Sequence, residues 1–382
     1  MTAERRLLLA STHHWHSALQ VGSHHIARHF VEAGWRVGLV SAPLTPLHLL
    51  KLSSPDVSGR FAAWRSRRES EGVVDLSPLT VLPVVGPGLR SERVLRAWPR
   101  ATIPPLVRAV KRAGLLEPDL MLADSPLHAS LVDLVRPRRL VYRIPDYTPG
   151  FPGLTAAYEA LERELVRRAD FVICAAPELE AYAADLGARR TVVVENGVDL
   201  SHMGNPAPEP AEYSRISRPR VVYVGALREW FDYALVAELC RRMPDVQFVV
   251  IGPDRRATFL PTANLHVLGE RLRADVPGFL QHADVGLIPF DRARHPALVD
   301  GVNPLKLYEY CAAGLPVVSV RWPMLERIAS PALLAEGPDM FDACLRKAIL
   351  DREYLGALGR EFAVGAAWSE RLRAMDAAVD DL

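Results

Sequence analysis

Short apolar runs alternate with helical patterns almost from the first residue. LLLAS is followed by a periodic stretch from Ser17 to Gly34 and then by RVGLVSAP, the rhythm of a strand–helix–strand unit. The alternation continues through LTVLPVV, DLMLADS, RLVYRIP, FVICAAP and TVVVENGVD, with helices predicted over 103–114, 127–135, 154–169 and 178–187. Continuous β-branched runs of this kind predict parallel strands buried on both faces. The pattern breaks at MGNPAPEPAEYSRISRP, residues 203–219, where four prolines interrupt any periodicity. A second series then starts: RVVYVGAL, a helix over 232–243, VQFVVIG, LHVLGE, a helix over 273–283, VGLIP, a helix opening at NPLKLYEYCAA, and PVVSV. The expected fold is therefore α/β, with two doubly wound Rossmann-like domains facing a cleft. Domain 1–202 and domain 220–360 flank a linker at 203–219, and a helical tail over 361–382 is expected to cross back to the first domain.

In open parallel sheets, ligands bind beyond the carboxyl ends of the strands, so the residues that follow each strand are the candidates for chemistry. After the first strand come Ser11, Thr12, His13, His14, Trp15 and His16; after RLVYRIP come Asp146 and Tyr147. In the second half, Arg228 follows RVVYVGAL, Glu270 follows LHVLG, and a long loop after VGLIPF reaches Asp300 and Asn303. Asn303 is a good helix N-cap and Pro304 suits a first helical position. The helix N-terminus over 304–306 and the Lys306 charge make an anion site suited to phosphate. Glu309, three residues on, can accept two hydrogen bonds from a ribose diol, so the pair reads as a nucleotide site. The same spacing also fits an exposed Lys306–Glu309 pair on an amphipathic helix.

Composition narrows the classes. At 382 residues, 49% apolar and 24% charged, the chain is long enough for two cores and too hydrophobic for disorder. A formal charge of +1 argues against a general affinity for nucleic acid. Charge is uneven, however: between Arg60 and Arg112 eleven Lys/Arg face four Asp/Glu, among them Arg65, Arg67, Arg68, Arg90, Arg93, Arg96 and Arg100. That region could meet an anionic membrane or ligand, or be a solvated face. Cys174, Cys240, Cys311 and Cys344 lack metal spacing and read as reduced, cytoplasmic thiols. No apolar run approaches the roughly 20 residues that span a bilayer, nor a signal-peptide core. The five histidines within 13–25 raise a metal site, which the lack of interleaved Cys or acidic ligands disfavours.

NPLKLYEYCAAGLPVVSV resembles the donor-site helix and following strand of nucleotide-sugar glycosyltransferases with the GT-B fold. VENGVDLSHM, VVYVGALREWFD and LHVLGERLRADVPGFLQHADVGLIPF are similar to further stretches of that group, in order and spacing. The resemblance implies a UDP-sugar donor gripped without metal. It places Gly225, Leu227 and Arg228 near the phosphates, Glu270 near the base, Lys306 on the diphosphate, and Glu309 on the ribose, with Asn303 and Leu305 framing the helix start. Many retaining members carry a further glutamate where this chain has Gly301, beside Asp300, which weakens the retaining signature. The chain also resembles the xanthan glucuronosyltransferase and teichuronic-acid-type transferases. In the former the strand similar to LVYRIPD ends in the residue proposed as catalytic base, which matches Asp146. His13 and His14 compete for that role, because other GT-B enzymes place a catalytic histidine after the first strand. His16, His24, His25 and Tyr147 are expected near the acceptor, although His24, His25 and His29 also fit a helix packing face. The resemblance implies inverting transfer, with glucuronate the leading sugar, to a glycan or lipid-linked hydroxyl at the inner membrane face. A UDP-sugar 2-epimerase of the same fold and a catalytically silent partner subunit are the rival readings. A dehydrogenase is excluded by the missing Gly-x-Gly-x-x-Gly after the first strand; VVGPGLR at 84–90 lacks the third glycine.

Overall fold

The computed structural model describes residues 4–17, 19–51, 55–66, 69–84, 88, 90–151, 155–253 and 262–382. Arg67 and Arg68 of the basic region, and part of VVGPGLR, lie outside the described residues. The chain divides into two compact units: Met1–Glu195 with Leu372–Leu382, and Asn196–Arg371.

Among the described residues, the first unit holds an eight-stranded sheet in the order β3-β4-β2-β1-β5-β6-β7-β8. The strands are β1 Arg6–Ala10, β2 Arg36–Val40, β3 Glu69–Ser70, β4 Val73–Leu76, β5 Leu120–Ala123, β6 Arg139–Ile144, β7 Phe171–Cys174 and β8 Thr191–Val193. All pairs are parallel except β3 with β4. Strand order reverses between β1 and β5, which creates a crevice beyond their carboxyl ends. The interior strands are buried on both faces because helices cover them: Leu7, Leu8, Leu9, Met121, Leu122, Val141 and Ile173 are fully enclosed. One expected strand does not form among the described residues. Of LTVLPVV, residues 79–84 make only isolated bridges at Leu79 and Thr80, and Val81 is 55% exposed, while Val85 lies outside the described residues; the fourth strand is instead VVDL. Pro83 removes a ladder donor from the first run, while Val73–Leu76 pairs in register with Val37–Val40.

The second unit holds, among its described residues, a six-stranded parallel sheet ordered β11-β10-β9-β12-β13-β14. Its strands are β9 Arg220–Val224, β10 Gln247–Ile251, β11 Leu265–Gly269, β12 Val285–Ile288, β13 Val317–Val320 and β14 Leu333–Ala335. Here the order reverses between β9 and β12. The division between units falls before Asn196 rather than within 203–219. The proline-rich stretch is packed into the second unit: Tyr213 is 1% exposed, donates to the Phe279 carbonyl at 2.9 Å, and lies under the Arg220 guanidinium. Prolines end the periodic pattern there without freeing the chain: Tyr213 is buried from the short 3-10 helix Ala211–Arg215, and Ala207 N–H donates to Gln281 Oε1 at 2.9 Å. At the other end, residues 372–382 belong to the first unit, where His29 pairs with Asp376 at 2.7 Å. All four cysteines are free thiols. No described helix is long and apolar enough to cross a membrane.

Candidate functional site

In the second unit the residues expected to grip a nucleotide gather beyond β9 and β12. The helix Leu305–Ala312 opens after Asn303 and Pro304. Pro304, not Asn303, is its N-cap. The Asn303 side chain instead accepts from the Tyr308 hydroxyl at 2.8 Å, and its carbonyl accepts from Asn196 Nδ2 at 2.8 Å. Asn303 is therefore a buried brace for the helix start, while Pro304 takes the N-cap position with no side-chain hydrogen bond to the helix.

Lys306 projects from the first turn so that Nζ lies 4.7 Å from the Phe290 ring and 5.2 Å from the Tyr223 ring. Tyr223 is on β9 and Phe290 follows β12, so the ammonium stands at the point where the strand order reverses. Gly225 lines the same spot. A Cβ there would come within 3.1 Å of Lys306 Cε and 3.0 Å of the Tyr223 hydroxyl, and its φ of +153° disfavours any L side chain. Burial lowers the Lys306 pKa to about 8, against the opposing pull of Glu309. Burial raises that of Glu309, while Lys306 and Arg273 draw it down. Both residues keep part of their surface open to solvent while their charged ends are largely enclosed. They are thus no exposed surface pair.

The Asn-Gly-Val-Asp stretch supports this arrangement. Asn196 holds the Asn303 carbonyl, and Val198 exchanges backbone hydrogen bonds with Ala366 and Trp368. Asp199 caps the short helix Leu200–Gly204 and pairs with Arg273 at 3.1 Å, which lowers its pKa to about 2 despite partial burial. Arg273, absent from the sequence-based candidates, is thereby held beside Glu309. Only its place within the LRADV stretch marked it. Tyr310, on the same helix, accepts the Val224 N–H at 2.8 Å and lies flat against Gly286 of β12. Leu227 is buried and Arg228 half-buried beyond β9, and Glu270 follows β11. Leu305 is half-buried at the helix start. Asp300, beside Gly301, is taken up by Arg292 at 2.6 Å.

In the first unit Asp146 follows β6, and its carboxyl pKa is pushed up to about 6 by burial, with Arg143 pulling it down. Arg143 is 3% exposed, and its guanidinium lies over Gly22, the first residue of the helix Gly22–Glu32. The next strand end, β5, carries Asp124, which accepts from the Ser11 hydroxyl at 2.8 Å and from that of Ser23. Tyr147 is 36% exposed, with its ring 5.0 Å from that of Tyr182.

The histidines separate by burial. His14 is 1% exposed, with Nδ1 4.0 Å from Asp75, a carboxylate at the end of β4 that the sequence reading missed along with its strand. Asp75 also accepts from Trp15 N–H and Ser77, and burial raises its pKa. His24 was expected near the acceptor but is fully buried. Its Nδ1 accepts the Val21 N–H at the start of the first helix, and Nε2 contacts the His14 carbonyl at 3.0 Å. This fixes a neutral ring whose pKa burial lowers to about 3, so His24 is a capping and packing residue. His13 is half-buried beside Thr12, His25 half-buried, and His16 exposed. Among the described residues no group of three or more His, Cys, Asp or Glu side chains has the geometry to hold a metal ion.

Residues 9–175 match the family described as glucuronosyltransferase GumK, N-terminal domain, and residues 218–350 match glycosyl transferases group 1. The chain is 28% identical over 209 residues to a UDP-glucuronate:glycolipid 2-beta-glucuronosyltransferase of Xanthomonas campestris pv. campestris, covering 53% of this chain and 49% of that protein. It is 25% identical over 184 residues to TuaH of Bacillus subtilis (strain 168), a protein assigned to teichuronic acid biosynthesis as a glycosyltransferase, covering 45% of this chain and 46% of that one. Each match thus spans about half the length of the curated relative. In fold, the chain resembles a sucrose-phosphate synthase of Thermosynechococcus elongatus, with a TM-score of 0.70 at 16% identity over 99% of both chains. With both halves matched to glycosyltransferase domains and the parallel-sheet architecture of each unit in place, this chain belongs to the GT-B-fold glycosyltransferases.

Proposed function

We propose that this protein transfers a sugar from a UDP-sugar, with UDP-glucuronate the leading donor, to a hydroxyl of a glycan or lipid-linked acceptor, with inversion and without a metal. The observation that carries the reading is the Lys306 ammonium, set at the reversal point of the second sheet against Gly225 and at the start of the helix bearing Glu309. A diphosphate there meets a cation and helix N–H groups, and a ribose meets a carboxylate. The Xanthomonas relative, a UDP-glucuronate:glycolipid glucuronosyltransferase, supports UDP-glucuronate as donor.

In the chemical step, Asp146 takes the proton of the acceptor hydroxyl. The freed oxygen bonds to the anomeric carbon on the face opposite the nucleotide, and the pair of the breaking C–O bond passes to the departing diphosphate. Lys306 and the helix dipole stabilise that charge as it develops. A carboxyl with a pKa of about 6 is ionised at neutral pH yet more basic than an ordinary aspartate, as a general base requires. The pairing of Asp300 with Arg292 next to Gly301 fits inversion, since neither residue offers a free carboxylate like that of retaining relatives. Exposed Arg100, Arg108, Lys111 and Arg112 near exposed Val81 and Ile103 support peripheral contact with an anionic membrane, at the cytoplasmic face.

Calorimetry with UDP, GDP, dTDP and ADP in the absence of metal tests the donor site. UDP should bind best, and Glu309→Ala should weaken it by about 10- to 100-fold, the loss of hydrogen bonds to a charged group. Asp146→Asn should leave UDP affinity unchanged while slowing transfer by about 10²–10⁴-fold. Equal binding of all four nucleotides, or an active Asp146→Asn protein, would sink the reading.

A further inference from the structure

Beneath the segment that carries Asp146 lies a carboxylate with no part in the chemistry above. Glu162, at the centre of the helix Ala156–Arg168, is 0% exposed. Three hydroxyls converge on it: Tyr142 of β6 donates to Oε1 at 2.9 Å, Thr148 to Oε1 at 2.8 Å, and Tyr182 of the helix Leu179–Leu186 to Oε2 at 2.7 Å. Burying a carboxylate is costly, and three donors are what offset it. An apolar side chain would fill the same space more cheaply, so packing alone does not account for the group.

What the three donors share is their position around Asp146. Tyr142 belongs to the strand that leads into Asp146, and Thr148 lies two residues after it. Tyr182 bears on the residue in between, its ring 5.0 Å from that of Tyr147 at 70°. The turn Thr148–Gly150 then closes with Gly150 N–H on the Tyr147 carbonyl and Phe151 N–H on that of Thr148. Asp146 is thereby clamped from both sides along the chain, by the strand on one and by a hydroxyl anchored to Glu162 on the other. Arg143, buried on the same strand, draws the Asp146 pKa down against the effect of burial.

We infer that Glu162 is a positioning residue: through Thr148 and the Tyr182–Tyr147 pair it fixes the orientation in which Asp146 presents its carboxylate. This rests on the reading of Asp146 as the base. Misplacing a catalytic group by about 1 Å can cost on the order of 100-fold in rate, so loss of one of three anchors should cost less than loss of the base itself.

The test follows UDP release from UDP-glucuronate, with water or a lipid-diphosphate-linked glycan as acceptor, in Thr148→Val, Thr148→Ser, Glu162→Gln and Asp146→Asn proteins. Thr148→Val keeps the shape and removes one donor. It should lower kcat about tenfold with KM for UDP-glucuronate and affinity for UDP within about twofold of wild type, and Thr148→Ser should restore kcat. Glu162→Gln should resemble Thr148→Val; if it fails to fold, the Val and Ser pair still decides. Wild-type kcat in Thr148→Val, or a loss that Ser does not restore, overturns the positioning role while an inactive Asp146→Asn leaves the base in place. An Asp146→Asn protein as fast as wild type, or no UDP release by the wild-type chain, overturns the reading beneath it.

Discussion

The pH dependence of UDP binding gives the sharpest check on the donor site. The Lys306 ammonium lies against two aromatic rings at the end of a buried sheet, and that desolvation brings its pKa from 10.5 to about 8. A diphosphate placed beside it favours the charged form and raises the pKa again, so binding must be linked to proton uptake. The sign follows directly: affinity is fully present below pH 8, where the free protein already carries the charge, and is lost as pH rises through 8. Affinity should then scale as the protonated fraction, falling about tenfold between pH 7 and pH 9, or about 1.4 kcal/mol. If the bound ammonium regains its ordinary value, the loss totals roughly 3 kcal/mol, an upper bound because part of the side chain meets solvent. Calorimetry at pH 7, 8 and 9 in buffers of different ionisation enthalpy reads both quantities, and near pH 8 about half a proton should be taken up per UDP bound. Lys306→Met should flatten the dependence and weaken binding at pH 7 by roughly 10- to 150-fold, the range for a hydrogen bond to a charged group. Wild-type affinity that is equal at pH 7 and pH 9, or a slope that survives in Lys306→Met, refutes the argument.

Two further outcomes are expected. A Cβ at Gly286 would come within 2.4 Å of the Tyr310 ring, so Gly286→Ala should displace that ring and destabilise the second unit by about 1–3 kcal/mol. Thermal unfolding should report this as a drop of roughly 3–10 °C, and a melting temperature within about 1 °C of wild type counts against the packing argument. Replacing Arg100, Arg108 and Arg112 by Gln should abolish sedimentation with phosphatidylserine vesicles at low salt while UDP binding stays intact; unchanged sedimentation removes the membrane role from this face.

Periodicity and punctuation made the fold legible. Buried parallel strands need unbroken apolar runs, helices need 3.6-residue periodicity, and both are local properties of sequence. Five of the six strands of the second sheet were readable as apolar runs, whereas the three-residue β14 falls where only helices were expected, and Lys306 with Glu309 stood out because a helix start beyond a strand is recognisable by its Asn-Pro opening. VVDL escaped because a four-residue strand with an aspartate in it looks no different from a turn. It becomes a strand only by pairing with β2, and its Asp75 then comes to lie near His14. The stretch 203–219 differs from the linker its prolines suggest for the same reason: prolines signal the end of a pattern but not whether the segment packs, and Tyr213 and Arg220 decide that it does.

The sequence by itself determined two α/β units, most of their strands, and the helix that carries Lys306 and Glu309. Only the tertiary structure decided which polar residues share an environment. Asn303 became a brace, His24 a buried cap, and Glu162 the anchor under Asp146, while Arg273 came to stand beside Glu309. Burial and charge pairing between residues far apart in the chain set those roles, and neither quantity is encoded in any local pattern.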